Sequence, residues 1–209
     1  MPLELSIYAA KVLMKILYAA RYARMDLLRA VCALAQQVSK WDRVCDVKLY
    51  RLICFINGSL DIRMTGWIGD SPEALKLHLF ADADFAGCSK TSRSTSGLHL
   101  MLLGPSSCWP LAGQSKKQTA VSHSTPEAEL ISADHAVRTV GIPAVDLWQF
   151  LLAKAGNVVI EFHEDNNTAV TVLRSGWSQT MRHLERTHGV CLRALAEQMR
   201  QPYFCLMYE

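Results

Sequence analysis

The fold is decided by a short stretch of sequence, Leu75–Gly87, which reads LKLHLFADADFAG. Every second residue from Leu75 to Ala81 is apolar, which is the period of a half-buried strand, and the predicted strand ends on Asp82. A cluster of turn formers, Gly69–Pro72, precedes it and predicts a boundary between residues 1–70 and residues 71–209.

The sequence around this strand predicts an α/β sheet of mixed direction, because strands come first and then alternate with helices. A proline in Cys108–Ala112 favours an edge position for that strand. A hydroxyl cap, a proline and a glutamate at Ser124–Glu127 predict a helix start. We expect that helix to reach Val140, to break at Gly141–Pro143 and to resume through Leu152. The other predicted strands are Leu98–Leu103, Val158–Phe162 and Tyr203–Tyr208, and the other predicted helices are a short one ending at Arg174 and a longer one across Met181–Arg200.

Residues 1–70 have apolar residues at helical spacing and contain no clustered acids or nucleophiles, so we predict a packed helical segment. Lys11 and Lys15 interrupt its apolar start, which argues against a signal peptide or a membrane span. The 209 residues are 50% hydrophobic and carry a net charge of +3, which excludes a disordered chain. Seven scattered cysteines without a C-x-x-C pair favour free thiols. We therefore expect an intracellular protein, cytoplasmic or nuclear, with no membrane partner.

Three acids occupy positions from which they could act together. Asp82 ends the first predicted strand, Glu129 lies early in the capped helix, and Asp165 follows the fourth predicted strand. Parallel strands bring their carboxyl ends to one edge of a sheet, where α/β folds place their ligands. Clustered carboxylates select hard cations such as Mg²⁺ or Mn²⁺, and two such ions would suit phosphodiester hydrolysis. Taken singly, each acid also fits an ordinary turn, cap or helix-dipole position.

The residues of five ordered motifs resemble those of the ribonuclease H domain at the end of the Ty1/copia-type retrotransposon polyprotein. The resemblance covers roughly residues 71–209, and residues 1–70 look like the segment that links this family's reverse transcriptase to its ribonuclease H. No Tyr-x-Asp-Asp polymerase motif occurs in the chain. Five motifs carry the resemblance in order: Ala81–Gly87, Ser92–Gly97, Gln114–Gln118, Ser124–Glu129 and Glu164–Asn166.

The resemblance implies a ribonuclease H-like fold and hydrolysis of the RNA strand of RNA–DNA hybrids with two Mg²⁺ (or Mn²⁺) ions. Asp82, Glu129 and Asp165 match the family's catalytic, metal-binding acids, with Phe85 in place of the usual Trp. Asp84 is the alternative first ligand, because strand alternation points Asp82 and Asp84 the same way. The implied partners are the hybrid and the remainder of the Pol polyprotein.

The chain departs from the family at its end. The family's fourth acid lies in a helix after the last strand, in an Ala-Asp-Ile-Leu-Thr-Lys-like motif, whereas this chain stops at Glu209. The expectation is a C-terminally truncated domain with weak or absent activity; the alternative is a degenerate, inactive retrotransposon remnant that binds nucleic acid weakly at most. Glu185 matches an aspartate of a separate family motif and could assist as a metal ligand, although a helix-surface acid is the simpler reading.

Basic and hydroxyl side chains near the predicted site could hold phosphates as charges and hydrogen-bond donors. The alternative is an ordinary solvated hairpin. Histidines carry no expected role, because His183 and His188 would face different sides of a continuous helix. The predicted nucleic-acid contacts are Lys90, Arg93, Ser94, Lys116 and Lys117.

Overall fold

The computed structural model describes residues 5–151 and 158–209. The chain divides into two compact units. The first consists of Met1–Thr65 with Gly113–Ser115, and the second of Gly66–Ala112 with Lys116–Glu209.

The first unit contains three α-helices: α1 (Ser6–Tyr22), α2 (Leu28–Ala35) and α3 (Arg43–Asn57). The side chain of Asp42 caps α3 by accepting a hydrogen bond from the Cys45 N–H at 2.8 Å. Within the parts of the chain described, no helix has both the length and the apolar character to cross a membrane. The apolar residues at helical spacing form a core of their own, which includes Leu13, Leu27, Val31, Leu34, Leu49 and Leu52.

The second unit is built on a five-stranded sheet with the order β3-β2-β1-β4-β5. Strand β1 pairs antiparallel with β2 and parallel with β4, and β4 pairs parallel with β5. The predicted fold class, a mixed sheet flanked by helices and preceded by a helical segment, is confirmed. The strands are β1 (Lys76–Asp84), β2 (Thr95–Gly104), β3 (Ser107–Lys117), β4 (Ile160–Glu164) and β5 (Phe204–Tyr208).

Strand β1 is central because its alternating residues supply the middle of the core. Leu77, Leu79, Ala81 and Ala83 are buried, whereas the residues between them are half-buried or exposed. Helices α4 and α6 pack with the sheet around this core. The helices of this unit are α4 (Thr125–Ala136), α5 (Ile142–Leu151), α6 (Asn167–Ser175), α7 (Leu184–Thr187) and α8 (Leu192–Met199).

The helix after Ser124 does not break at Gly141–Pro143 as predicted. A π-helical turn, Val137–Gly141, joins α4 directly to α5. This wider turn accommodates Pro143, which has no N–H for the helical ladder. Gly141 lets this turn approach the core closely, since a Cβ there would lie 2.9 Å from Cδ2 of Leu79. The predicted end, Leu152, lies outside the described residues.

The single helix predicted across Met181–Arg200 is wrong. The chain forms α7, turns at Gly189 with a φ of 69°, and then forms α8. This left-handed backbone conformation is accessible to glycine at no steric cost, and it ends the helix. Strand β3 is longer than predicted, and its Pro110 is tolerated because β3 is an edge strand.

Candidate active site at the end of the sheet

The ends of β1 and β4 place two of the predicted acids at the same level of the sheet. Phe80 pairs with His163 in the parallel register. Asp82 and Asp165 each stand two residues beyond this pair along their own chain segments, and both are exposed. Parallel strands therefore bring these carboxyl groups to one edge, as the sequence pattern predicted.

Helix α4 brings the third predicted acid, Glu129, to the same edge. Its start is capped by Ser124, whose hydroxyl accepts a hydrogen bond from the Glu127 N–H at 3.4 Å. Farther along the helix, the buried Ser132 hydroxyl lies 2.8 Å from the Asp82 carbonyl oxygen and 3.2 Å from that of Gly97. These contacts attach α4 to the backbone of the two strands beside the site.

A buried network explains why the motif Gln114–Gln118 stands near the site. The side-chain amide of Gln118 donates to the Ala128 carbonyl oxygen at 2.9 Å and to the Ser96 hydroxyl at 3.1 Å. The Ser122 hydroxyl donates back to the Gln118 side-chain oxygen at 2.8 Å. Because buried polar groups need partners, this set joins β2 to the start of α4 and helps to fix the position of Glu129.

Glu129 is buried among other acids. Only 4% of the residue is exposed, and its Oε2 atom has no hydrogen-bond partner in the described structure. Burial first, and then the nearby charges of Glu164, Asp82 and Asp165, raise the pKa of Glu129 to about 8, while a backbone hydrogen bond from Ala83 acts in the opposite direction. The three predicted acids therefore share one electrostatic environment.

Glu164 is a member of this environment that the sequence reasoning missed. It is 1% exposed; its Oε1 accepts a hydrogen bond from the Asn166 N–H at 3.2 Å, and its Oε2 has no partner among the described residues. Burial first, and then the charges of Asp165 and Asp82, raise its pKa to about 7, while the hydrogen bond from the Asn166 N–H acts in the opposite direction. The signal was available, because Ile160, Phe162 and Glu164 occupy the inward positions of β4, where an acid is unusual.

We call Asp82, Glu129, Glu164 and Asp165 the acidic cluster. Its donor set consists of carboxylate oxygens, two of them buried without partners, which fits a hard divalent cation such as Mg²⁺ or Mn²⁺. In the described part of the chain, two other groups of three potential ligands have donor atoms within 4.8 Å of one another, and both contain histidines. The acidic cluster does not form so tight a group, which agrees with the mutual repulsion of like charges.

The alternative first ligand, Asp84, lies in different surroundings. A Cβ at Gly87 would overlap the Asp84 carboxylate, so this side chain turns toward the loop that follows β1. Asp82, and not Asp84, contributes to the raised pKa of Glu129. The structure thus favours Asp82 as the acid of β1 that belongs to the site. Glu185 is exposed on α7 and does not contribute to the pKa of Glu129 or Glu164.

The predicted nucleic-acid contacts differ in their accessibility. Lys90, Arg93 and Lys116 are exposed. Lys117 is half-buried, and its Nζ lies 2.8 Å from Sγ of Cys88. This contact first, and hydrogen bonding with Thr91 second, lower the pKa of the Cys88 thiol to about 6.

Ser94 requires a correction as a predicted contact. It is fully buried, and its hydroxyl accepts a hydrogen bond from the Ala86 N–H at 3.1 Å. It therefore shapes the loop between β1 and β2 and cannot reach a phosphate.

Comparisons with known proteins give likenesses of fold. No model of a protein family matches the sequence, and no curated protein matches it significantly. The structure is similar to ribonuclease H1 from the halophilic archaeon Halobacterium salinarum, with a TM-score of 0.41, 15% identity, and coverage of 64% of this chain and 85% of that one.

Two further solved structures are similar at 13% identity. One is LC11-RNase H1 in complex with an RNA/DNA hybrid, with a TM-score of 0.39 and coverage of 64% of this chain and 85% of that one. The other is the foamy viral protease-reverse transcriptase in complex with an RNA/DNA hybrid, with a TM-score of 0.47. That match covers 100% of this chain and 27% of the viral protein. These likenesses concern the fold and identify no reaction for this chain.

Proposed function

We propose that residues 71–209 act as a ribonuclease H-type endonuclease domain of a Ty1/copia-type retrotransposon polyprotein, hydrolysing the RNA strand of RNA–DNA hybrids. Two independent observations support this proposal. The five ordered motifs resemble that family, and the residues matched as its catalytic acids share one electrostatic environment at the edge of the sheet.

The observation that carries the proposal is the state of Glu129. A buried carboxyl group with an unpartnered oxygen and three acidic neighbours is unfavourable for folding, and such arrangements concentrate at functional sites. A purely structural role would favour a pairing cation from lysine or arginine, and none contributes to the pKa of Glu129. The arrangement is therefore better explained by a ligand that carries positive charge.

In this proposal Asp82, Glu129 and Asp165 hold Mg²⁺ or Mn²⁺, and Glu164 supports them from the buried side. When bound, two such ions lower the pKa of an attacking water and stabilise the oxygen that leaves the phosphodiester. Asp82 would supply its carboxylate from the end of β1, the central strand of the sheet. The contacts of Ser132 with the strand backbone keep Glu129 in place for this role.

The substrate and partners follow from the motif resemblance and from charge. The exposed Lys90 and Arg93 lie in the loop between β1 and β2, and the exposed Lys116 lies near the end of β3; as cations, the three are suited to hold backbone phosphates. Residues 1–70 would connect this domain to the reverse transcriptase of the same polyprotein.

The test is a cleavage assay with the full chain and a hybrid whose RNA strand is labelled, in Mg²⁺ and in Mn²⁺. We expect weak, metal-dependent cleavage of the RNA strand and no cleavage of either strand of duplex DNA. Asp82→Asn should reduce the rate by about 100-fold or more, which corresponds to about 2.7 kcal/mol of transition-state stabilisation.

The matched control is Asp84→Asn, two residues away on the same strand. It should retain most of the activity, because the Asp84 carboxylate lies toward the Gly87 loop. A folded wild-type chain that cleaves no hybrid in either metal, or an Asp82→Asn variant as active as wild type, would refute the proposal.

A further inference from the structure

A second group of potential ligands surrounds Glu127, two residues before Glu129 on α4. We call His123, Glu127, His183 and His188 the histidine cluster. Donor atoms of His123, Glu127 and His183 lie within 4.8 Å of one another. His188 adds a fourth donor, with its Nε2 atom 3.9 Å from Oε1 of Glu127.

Three separate segments form this cluster. His123 precedes α4, Glu127 lies in the first turn of α4, and the other two histidines flank the four-residue helix α7. Nε2 of His183 and Nε2 of His188 both lie near Oε1 of the same carboxylate, at 3.1 Å and 3.9 Å. All of these residues belong to the second compact unit.

Two of the four members are deeply buried, and one of these has a ring nitrogen without a hydrogen-bond partner among the described residues. Glu127 is 2% exposed, and the side chain of His188 is 1% exposed. Nε2 of His188 has no hydrogen-bond partner in the described structure, although it is aimed at the Glu127 carboxylate. A buried ring nitrogen without a partner is costly, and in proteins such a position is commonly satisfied by an ion or a water.

The distances fit a transition-metal ion. Bonds of about 2.0–2.1 Å in a tetrahedral site separate neighbouring ligand atoms by roughly 3.3 Å. Nε2 of His183 lies 3.1 Å from Oε1 of Glu127, and the corresponding distance from His188 is 3.9 Å. Imidazole nitrogens with one carboxylate favour Zn²⁺ and exclude the oxygen-seeking Mg²⁺ of the acidic cluster.

We propose that His123, Glu127, His183 and His188 form a zinc site that joins the first turn of α4 to α7. The bound ion would fix the first turn of α4, the helix that also carries Glu129. The zinc site does not depend on the proposed nuclease activity. Because the ligands come from three segments, the ion stabilises only the folded chain, and binding raises the free energy of unfolding.

The other histidine group, His78, Glu161 and His163, is a weaker candidate. Glu161 already accepts a hydrogen bond from Nζ of Lys76 at 2.7 Å, and Nδ1 of His163 lies 2.6 Å from Oε1 of Glu209. These partners come from outside the group and compete with an ion, whereas the hydrogen bonds of the Glu127 carboxylate run to members of the histidine cluster itself. The group serves as the matched control.

The test is a Zn²⁺ titration of the full chain after treatment with chelator, followed by calorimetry and thermal unfolding. We expect one Zn²⁺ per chain at this site and a higher midpoint of unfolding. His123 is exposed, so its substitution should not disturb folding. His123→Ala and His183→Ala should each weaken Zn²⁺ binding by at least about 10-fold, because removing even a residue that only orients a ligand typically lowers metal affinity about 10–100-fold in other metal sites. His163→Ala should leave this affinity unchanged.

Co²⁺ in place of Zn²⁺ separates histidine from cysteine ligation, because its absorption should show the pattern of a tetrahedral nitrogen–oxygen site without thiolate charge transfer. Asp82→Asn should bind Zn²⁺ as wild type does, so the outcome does not depend on hydrolysis. The proposal is overturned if no Zn²⁺ binds, if His123→Ala and His183→Ala bind as tightly as wild type, or if only His163→Ala loses binding.

Discussion

Helix α4 carries two buried glutamates, Glu127 and Glu129, whose surroundings are opposite in character. The two residues are 2% and 4% exposed, and on a helix they point roughly 200° apart. Oε1 of Glu127 lies 3.1 Å from His183, and Oε2 accepts a hydrogen bond from the His123 N–H at 3.2 Å. Glu129 instead faces Glu164, Asp82 and Asp165.

The difference teaches that burial alone does not define the role of a carboxylate. In the histidine cluster the neighbours donate hydrogen bonds to the Glu127 carboxylate and so stabilise it. In the acidic cluster the neighbours repel the charge of Glu129. We therefore expect the same substitution, Glu to Gln, to have opposite effects at the two positions.

The largest expected effect is a loss of stability with rising pH that originates in the acidic cluster. The pKa of Glu129 is about 8 in the folded chain, against an ordinary value of 4.5. Below about pH 4.5 this group is protonated in both states and the difference has no effect. As the pH rises from about 4.5 to about 8, the unfolded chain loses the proton first, so the free energy of unfolding falls, and above that range it levels off. Each pH unit between the two pKa values corresponds to about 1.4 kcal/mol.

Glu129→Gln tests this expectation in the presence of chelator. The variant should be more stable than wild type at pH 8 by a few kcal/mol and similar to it near pH 4.5, as measured by urea unfolding across the pH range. Added Mg²⁺ should stabilise wild type more than the variant, by about 2.7 kcal/mol at a concentration 100 times the dissociation constant. A wild-type free energy of unfolding that does not fall between pH 4.5 and pH 8 would remove the basis for the comparison.

The second prediction concerns Glu127→Gln under the same chelating conditions at pH 7. It should lower the free energy of unfolding by about 1–3 kcal/mol, because His183 and the His123 N–H lose a charged acceptor in a buried position. Glu129→Gln is the matched control, with the opposite sign at this pH. Two variants that shift stability in the same direction would show that the surroundings of the two glutamates do not differ as described.

The acidic cluster could be found largely from sequence, for a physical reason. Asp82, Glu129 and Asp165 follow local signals, namely a strand end, a helix start and a second strand end, and parallel pairing then places two of them at one level. Glu164 could also be predicted from sequence, because the alternation of residues along β4 makes its position inward. The choice between Asp82 and Asp84 was not, since it depends on the close approach of the Gly87 loop.

The histidine cluster could not be predicted, because it depends on tertiary packing between segments far apart in the sequence. His183 and His188 meet Glu127 only where the α7 segment packs beside the start of α4, and the chain then turns at Gly189. Sequence periodicity across Met181–Arg200 suggests a continuous helix and gives no sign of this turn. The π-helical turn at Val137–Gly141 escaped prediction for a similar reason, since it depends on packing against Leu79.

The smallest expected effects sharpen the comparison by removing one hydrogen bond beside each glutamate. Ser132→Ala removes the contacts to the Asp82 and Gly97 carbonyl oxygens, and Ser124→Ala removes the helix cap. Each should lower the free energy of unfolding by about 1 kcal/mol, measured by urea unfolding.

The two variants should differ in their effects on metal binding. Ser132→Ala should weaken Mg²⁺ binding and leave Zn²⁺ binding unchanged, because the Ser132 hydroxyl attaches α4 to the strand that carries Asp82. Ser124→Ala frees the first turn of α4 and should weaken Zn²⁺ binding more than Mg²⁺ binding. If both variants weakened the two metals equally, the two ends of this helix segment would act as one site and the distinction between the clusters would fail.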